Sequence, residues 1–458
     1  MIRGEKVRFD IHKILYSIFK LNKNFKDPFI KRIMDKHKKE DISLINNVAL
    51  NSMRYHVYVD KIINKYTSKR IKDHERILFI SAITQIVFLD FREYAVINCS
   101  VEIAKKLKIY HGFVNACLKN ISKDKNNLKE TKINYDDLPT WFKYETKSFT
   151  NFEKRIFIKN FTKEPDLHLV FKNKKSLGEF DDNLLKTSET SGFLLIKKDV
   201  TEIKSYFDGN WWVQDYSSFF PIYNLPIKYS NKKFLDVCAA PGGKAFQLLS
   251  QNINVDLNDI NKIRIEILKY NLNRLGLSAH IINEDFTNFS KKTKYDTIVV
   301  DAPCSAIGTI RKNPEILFKS KGPNFKELIS LQEKMLEKAS LLLNENGFII
   351  YMTCSFLKIE TIDQISKFMK KNNNFLVSSF KIDKENMNYN KLVRQETIDG
   401  REPSEARKNE LLGLAREAAE ASLEKQKEDE LTLFGQLTTP RALGTGLGII
   451  AAIMAGRE

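Results

Sequence analysis

Phe234-Leu-Asp-Val-Cys-Ala-Ala-Pro-Gly-Gly-Lys-Ala-Phe246 is an apolar run that opens into Ala-Ala-Pro-Gly-Gly and then into a helix-competent segment. That order predicts a buried parallel strand, a tight turn and a helix N-terminus, the place where an open α/β sheet binds its ligand. Gly242 and Gly243 let the backbone approach a ligand with no Cβ in the way. Pro241 stiffens the turn, and the N–H groups opening the next helix suit a carboxylate or phosphate. The glycine spacing is neither G-x-G-x-x-G nor G-x-x-x-x-G-K-[ST], so the turn by itself does not identify the ligand.

Downstream the same sheet continues. Asn254 to Ile260 reads as a second strand ending near Asp259, followed by a helix carrying Ile267, Leu268, Leu272 and Leu275. An acidic residue there either holds ribose hydroxyls, as in Rossmann-type sites, or caps the next helix. Asp285 ends a short strand over 280–284, and Tyr295 to Asp301 is a β-branched fourth strand. A helix with Leu328, Leu331, Met335, Ala339 and Leu342 on one face precedes a fifth strand, Gly347 to Cys354. The polar ends of these strands fall on one edge, the carboxyl edge, where ligands of open sheets bind.

Upstream the periodicity is helical. Ile11, Ile14, Leu15, Ile18 and Phe19 recur at helical spacing, as do Leu44, Ile45 and Val48. Asp73 is placed to cap a run, Arg76 to Leu89, that is apolar on nearly every face, as the central helix of a bundle would be. Helices are also expected over 101–107 and 113–121. Residues 1–122 therefore read as an all-α domain, and 123–138 as a polar linker. Short strand-like pieces at 167–171 and 193–196 make 139–210 a small α+β subdomain, and 211–394 forms the sheet domain. From Gln395 to Glu458 asparagine nearly vanishes and Ala, Glu and Gly take over. Within this acidic, Ala-rich tail, 406–431 reads as a charged helix and 444–456 as a small-residue segment without an evident fold.

A chain of 458 residues with 42% hydrophobic content calls for more than one domain. The formal net charge is +18; the tail holds 8 Lys and Arg against 12 Asp and Glu, so the first 394 residues carry +22. Such an excess favours a polyanionic partner, and with no basic amphipathic helix or lipidation signal, nucleic acid before membrane. The longest apolar stretch, 447–455, is far short of the roughly 20 residues that cross a bilayer. The five cysteines, Cys99, Cys117, Cys238, Cys304 and Cys354, are widely spread with no C-x-x-C pair, which suggests neither a disulfide framework nor a zinc site. A soluble protein of a reducing cytoplasm, holding no metal, is the expectation.

Two of those cysteines stand at strand ends, Cys304 in Asp301-Ala-Pro-Cys-Ser-Ala-Ile-Gly308 and Cys354 in Thr353-Cys-Ser355. Both are expected to face the crevice beyond Gly242, where Lys244 can stabilise a thiolate. Cys99, Cys117 and the side chain of Cys238 read as ordinary buried thiols.

Asp-Val-Cys-Ala-Ala-Pro-Gly-Gly-Lys, Asp-Ala-Pro-Cys-Ser-Ala-x-Gly and Tyr-x-Thr-Cys-Ser, in this order, resemble the RNA 5-methylcytosine methyltransferases of the NOL/NOP/Sun family. The helical N-terminal part, including Phe113-Val-Asn-Ala-Cys-Leu118, is similar to a NusB-like RNA-binding domain, as in the RsmB/Sun-type branch that modifies small-subunit (16S) ribosomal RNA. The resemblance implies a Rossmann-like fold and S-adenosylmethionine as cofactor. It puts Cys238, Ala239, Ala240, Pro241, Gly242, Gly243 and Lys244 along its methionine and ribose part, Asp259 on the ribose hydroxyls, Asp285 near the adenine, and Asp301 at the methyl-transfer site. It also implies that Cys354 adds to carbon 6 of a single-stranded or flipped-out cytosine and that Cys304 assists release, with Asp301 and Lys244 contacting the base. Ile307 and Met352 depart from the family's small residues beside the thiols, and the family's closing strand pair is not visible after Phe375. A non-catalytic RNA-binding assembly factor with a degenerate fold is the competing reading, supported by that altered C-terminus. A nicotinamide-dependent oxidoreductase fits the sheet but neither the glycine spacing nor the thiols.

Overall fold

The computed structural model describes residues 3–67, 71–195, 199–225, 232–289, 293–319, 322–378 and 450–456. It divides into two units, Met1–Glu164 with Thr309–Pro323, and Pro165–Gly308 with Asn324–Glu458.

In the first unit the helical periodicity becomes a bundle. Arg3–Phe19, Lys39–Arg54, His56–Tyr66, Asp73–Ile83, Glu93–Lys106 and His111–Lys123 are its main helices. Every residue from Ile77 to Ile83 is buried, as an all-round apolar helix must be, and the helix runs on as a π-turn over Thr84–Phe88. Asp73 is the first helical residue; Lys72 holds the N-cap position. The presumed linker is packed instead: Lys125–Lys129 is helical and Leu128 is buried against the bundle. One apolar residue in a charged run leaves no period to detect. Helices Thr140–Glu145 and Asn151–Asn160 also belong to this unit, the latter opened by a Thr150–Glu153 capping box.

A segment from far down the chain, Thr309–Pro323, is built into this unit. Arg54 donates to the Arg311 carbonyl at 3.2 Å, and Arg311 donates to the carbonyls of Lys163 and Glu164. Phe318 packs against His56, 4.6 Å between ring centroids.

The second unit contains two sheets. β1 (His168–Phe171), β2 (Leu184–Ser188), β3 (Ser191–Leu194) and β4 (Trp211–Val213) form a small antiparallel sheet in the order β2-β3-β1-β4. Trp211 to Val213 thus completes the small sheet, past the expected boundary at 210, because their backbone pairs with β1. The large sheet contains β5 (Lys233–Val237), β6 (Asn254–Asn258), β7 (Ile281–Ile282), β8 (Tyr295–Asp301), β9 (Leu343–Thr353), β10 (Phe375–Ser378) and β11 (Ile450–Gly456). Their order is β10-β11-β9-β8-β5-β6-β7.

Strand alternation sorts the core onto two faces. Phe234, Val299, Ile350 and Met352 pack on one face with Phe246, Leu268 and Leu272, while Leu235, Val237, Ile298, Val300, Ile349 and Tyr351 pack on the other with Met335 and Ile365. From β5 the chain moves outward to β6 and β7, then returns to β8 on the other side of β5. That reversal is a topological switch point, and the crevice lies beyond the carboxyl ends of β5 and β8.

The sheet also closes. β11 runs antiparallel to both β9 and β10, pairing Ile450 with Thr353 at one end and Phe375 with Gly456 at the other. Ile450–Gly456 of the small-residue segment is therefore a strand, and with β10 it forms an antiparallel strand pair after Phe375. The expected helix at 406–431 lies outside the described residues.

Candidate active site

The turn after β5 is shaped by backbone. Cys238 takes φ +61 and Gly242 φ +118, and a Cβ on Gly242 would lie 2.1 Å from Cζ of Phe246 and 2.8 Å from Leu268. Only glycine fits there. The helix that follows, Gly243–Leu249, carries Lys244, which is buried and places Nζ 2.7 Å from Asp301 at the end of β8. Burial disfavours its ammonium, but Asp301, the Cys354 thiol and Asp236 outweigh that and raise its pKa. Burial likewise pushes the Cys238 thiol up to about 12, with Asp301 and Asp259 adding to the rise, so Cys238 is no nucleophile.

Asp259, one residue beyond β6 and 2% exposed, faces this turn. Its carboxylate accepts from Ala240 N at 3.1 Å and from Asn261 N at 2.8 Å, and Arg264 stands 3.8 Å away. It is not the cap of the next helix; Asn261 is, accepting from Arg264 N at 3.0 Å. Two accepted bonds orient the carboxylate and leave lone pairs for further donors. Asp285 lies three residues beyond β7, and there its carboxylate caps a 3₁₀ turn, accepting from the Thr287 amide and hydroxyl at 2.9 and 2.8 Å.

The two thiols come together. β8 and β9 are parallel with Asp301 opposite Met352, so the loops beyond them emerge side by side; Ala302 N donates to Met352 O and Gly308 N to Cys354 O, both at 2.9 Å. Cys304 and Cys354 are half-buried, on loops that emerge side by side. The neighbouring Cys354, burial and the negative charge of Glu360 raise the Cys304 pKa well above its ordinary value, so its proton is held at neutral pH. Ile307 and Met352 are wholly buried, Met352 in the core face of Phe234 and Val299, so their bulk is absorbed by packing.

Three residues of this region were not singled out from sequence. Asp236 is 1% exposed with both carboxyl oxygens unpartnered, and burial pushes it up to about 7, Lys244 opposing and Asp301 and Asp259 reinforcing the rise. Arg264 donates to the Ala240 carbonyl from the helix after Asp259. Glu360 accepts from Ser305 in the Cys304 loop. An acidic residue inside an apolar strand was the available signal for Asp236; Arg264 and Glu360 sit in ordinary-looking helical and turn sequence.

A bare glycine turn and a buried carboxyl with no hydrogen-bond partner among the described residues, in the field of Lys244, Asp301 and Asp259, suit a cationic, hydroxyl-bearing cofactor such as S-adenosylmethionine. Among the described residues no group of His, Cys, Asp or Glu is placed to hold a metal ion, and no helix is long and apolar enough to cross a membrane.

Residues 225–404 match the family model of 16S rRNA methyltransferase RsmB/F, and residues 6–123 match that of the NusB family. Ribosomal RNA small subunit methyltransferase B of Shewanella oneidensis is 29% identical over 353 residues, 72% of this chain and 82% of that protein. Its namesake from Pasteurella multocida is 26% identical over 362 residues, covering 73% and 80%. The crystal structure of PH0851 shares the fold with a TM-score of 0.63 at 20% identity, over 84% of this chain and 93% of its own. The chain thus holds two domains in this order, a NusB-family domain and, carrying the glycine turn and the adjoining thiols, a domain of the RsmB/F family of S-adenosylmethionine-dependent methyltransferases.

Proposed function

We propose that the protein methylates carbon 5 of a cytosine in 16S ribosomal RNA, through a covalent adduct of Cys354 with carbon 6. The observation that carries this reading is that the Cys304 and Cys354 loops leave β8 and β9 side by side, next to the Lys244–Asp301 pair at the mouth of a cofactor-type crevice. The relatives named above are small-subunit methyltransferases, which supplies the substrate class.

When bound, S-adenosylmethionine supplies an electrophilic methyl group on a sulfonium sulfur. Carbon 5 of cytosine is too weak a nucleophile to take it directly. The Cys354 thiolate adds to carbon 6, forming an S–C bond and pushing electron density to carbon 5, which then takes the methyl group. Asp301, fixed by Lys244, hydrogen-bonds the cytosine edge as charge develops. Cys238 to Lys244 would hold the methionine and ribose part of the cofactor, Asp259 its ribose hydroxyls and Asp285 its adenine end.

Release requires the carbon 5 proton to leave and the S–C bond to break. At rest Cys304 keeps its proton, the neighbouring Cys354 and burial raising its pKa. Once Cys354 is a thioether, Cys304 loses its proton to solvent and as a thiolate takes the one from carbon 5, directly or through a water it orients; the C–H electron pair re-forms the carbon 5–carbon 6 double bond and expels the Cys354 thiolate. The target base reaches Cys354 only from a single strand or flipped out. RNA binding is carried by the first 394 residues, whose net +22 gives a steep salt dependence, and the work is done in the cytoplasm. The strands β10 and β11 beside β9 support this reading over that of a degenerate, non-catalytic fold.

Bisulfite sequencing of ribosomal RNA with and without the gene should show one protected cytosine disappear; no change would overturn the assignment. With purified variants, Cys354→Ala should bind RNA and cofactor without methyl transfer. Cys304→Ala should methylate and accumulate a covalent protein–RNA band on a denaturing gel. Adduct in Cys354→Ala and none in Cys304→Ala would reverse the roles.

A further inference from the structure

The loop that carries Cys304 has no regular structure between Ala302 and Ala306, and Ala306 itself takes φ +55. Two backbone bonds hold its ends, Ala302 N to Met352 O and Gly308 N to Cys354 O. Neither reaches the residues that flank the thiol, Pro303 and Ser305. Those are gripped by side chains from elsewhere. Glu360 accepts from Ser305 N at 2.8 Å with one carboxylate oxygen and from the Ser305 hydroxyl with the other. Gln332 donates to the Pro303 carbonyl at 2.9 Å and to Glu360 at 3.2 Å.

Glu360 is 0% exposed. The donors that satisfy it are uncharged, an amide, a hydroxyl and a carboxamide, and removing a carboxylate from water is expensive when only neutral donors replace the solvent. A leucine would fill the space at lower cost, so stability alone does not account for an acid here. Its own position is fixed as well: it closes the 3₁₀ turn Lys358–Glu360, six residues after Cys354, and its carbonyl accepts from the buried Tyr351 hydroxyl at 3.0 Å. Glu360 therefore moves with the Cys354 loop while holding the Cys304 loop.

We propose that Glu360 is a positioning residue for the thiol pair, holding Ser305 so that Cys304 stays against Cys354, and that it governs release of the methylated base and not addition to it. The inference rests on the two-thiol reading above. Addition needs only the Cys354 thiolate, one residue beyond the end of β9. Elimination needs both sulfurs in register, and displacement of a reacting group by about 1 Å is enough to cost 100-fold.

The test uses the full chain with labelled substrate RNA, comparing Glu360→Ala, Glu360→Gln, Ser305→Ala and Cys304→Ala. Methyl transfer in a single turnover, steady-state turnover, adduct on a denaturing gel and S-adenosylmethionine affinity are measured for each. Glu360→Ala should methylate in a single turnover within about threefold of the parent, lose roughly tenfold or more in steady-state turnover, and accumulate adduct, with cofactor affinity unchanged. Glu360→Gln keeps an acceptor for Ser305 N and replaces the acceptor for its hydroxyl with an amide donor to the same oxygen, and should recover to within about threefold. If Glu360→Ala does not fold, Ser305→Ala carries the test, because it cuts the hydroxyl bond while leaving the acid in place. Normal turnover and no adduct in the folded variants would overturn the proposal. So would parallel losses in addition and cofactor affinity, or a folded Glu360→Gln no better than Glu360→Ala. Cys304→Ala separates the two levels: if it accumulates no adduct the two-thiol reading fails, whereas adduct there and none in Glu360→Ala refutes this inference alone.

Discussion

The two sides of the crevice are held in different ways, and a buried acid on each side shows it. On the cofactor side the turn after β5 is fixed by backbone: a left-handed Gly242, and an Ala240 amide that donates to Asp259. Its buried acid, Asp236, has no partner. On the thiol side the loops are irregular and are fixed by side chains, and the buried acid there, Glu360, is fully bonded. The difference teaches that the first side is built to receive something and the second to hold its own parts still.

The largest effect is expected where backbone alone decides. Gly242→Ala forces a Cβ to within 2.1 Å of the buried Phe246 ring at φ +118. Strain at such a φ costs ~1–3 kcal/mol and overpacking ~1–3 kcal/mol more, so about 4 kcal/mol together, with loss of cofactor binding. Denaturant titration and calorimetry would check both. A stable, cofactor-binding Gly242→Ala would break the claim that this side is backbone-made.

Next comes the unpartnered acid. Asp236 has a folded pKa of about 7 against an ordinary 3.8. Below pH 3.8 it is protonated folded or unfolded and costs nothing extra. As pH rises from 3.8 the unfolded chain releases the proton while the folded one keeps it, so stability falls until pH passes about 7 and then levels off. Asp236→Asn cannot ionise, and in the cofactor-free protein it should exceed the parent by roughly 2–4 kcal/mol at pH 9 and differ little at pH 4. Chemical denaturation at both pH values reads the slope; an identical slope in parent and variant would mean that Asp236 is not desolvated.

The same contrast explains what was legible in the sequence. The glycine turn, Asp259 and the strand-end cysteines follow from local pattern, because a turn that needs φ near +118 needs glycine and a parallel strand must be apolar throughout. Glu360, Gln332 and Arg264 act across 55, 29 and 24 residues of sequence through single hydrogen bonds, and nothing in their neighbours' periodicity marks them. β11 was missed for a different reason: its pairing with β9 and β10 is made by backbone, and a run such as Ile-Ala-Ala-Ile-Met-Ala-Gly carries no polar alternation to announce a strand. Thr309–Pro323 was missed because its packing in the helical unit depends on Arg54, His56 and Phe19, all near the other end of the chain.

A moderate effect belongs to Asp259. Its two backbone bonds orient it toward the turn. Asp259→Ala should weaken S-adenosylmethionine binding by about 1.5–3 kcal/mol, the range for hydrogen bonds to a charged group. Calorimetry showing unchanged affinity would remove Asp259 from the cofactor site and leave it a brace for Ala240.

The smallest effect should lie at the outer edge of the thiol-side network, and it sharpens the comparison because it separates bracing from positioning. Gln364 is 2% exposed and donates to the Ile329 carbonyl and to Gln332 Oε1, both at 3.0 Å, while its own Oε1 has no partner. Gln364→Leu removes two donated bonds but also a buried carbonyl that was never satisfied, and it keeps the side-chain volume. The losses and the gain nearly offset, so about 1 kcal/mol of stability is expected. Gln332 keeps both of its bonds toward Pro303 and Glu360, so the Cys304 loop stays where it is. Turnover and adduct level should therefore match the parent. A Gln364→Leu protein that trapped adduct would show that positioning extends through Gln332 to the helix Ile362–Lys371, and the thiol side would have to be treated as one coupled network.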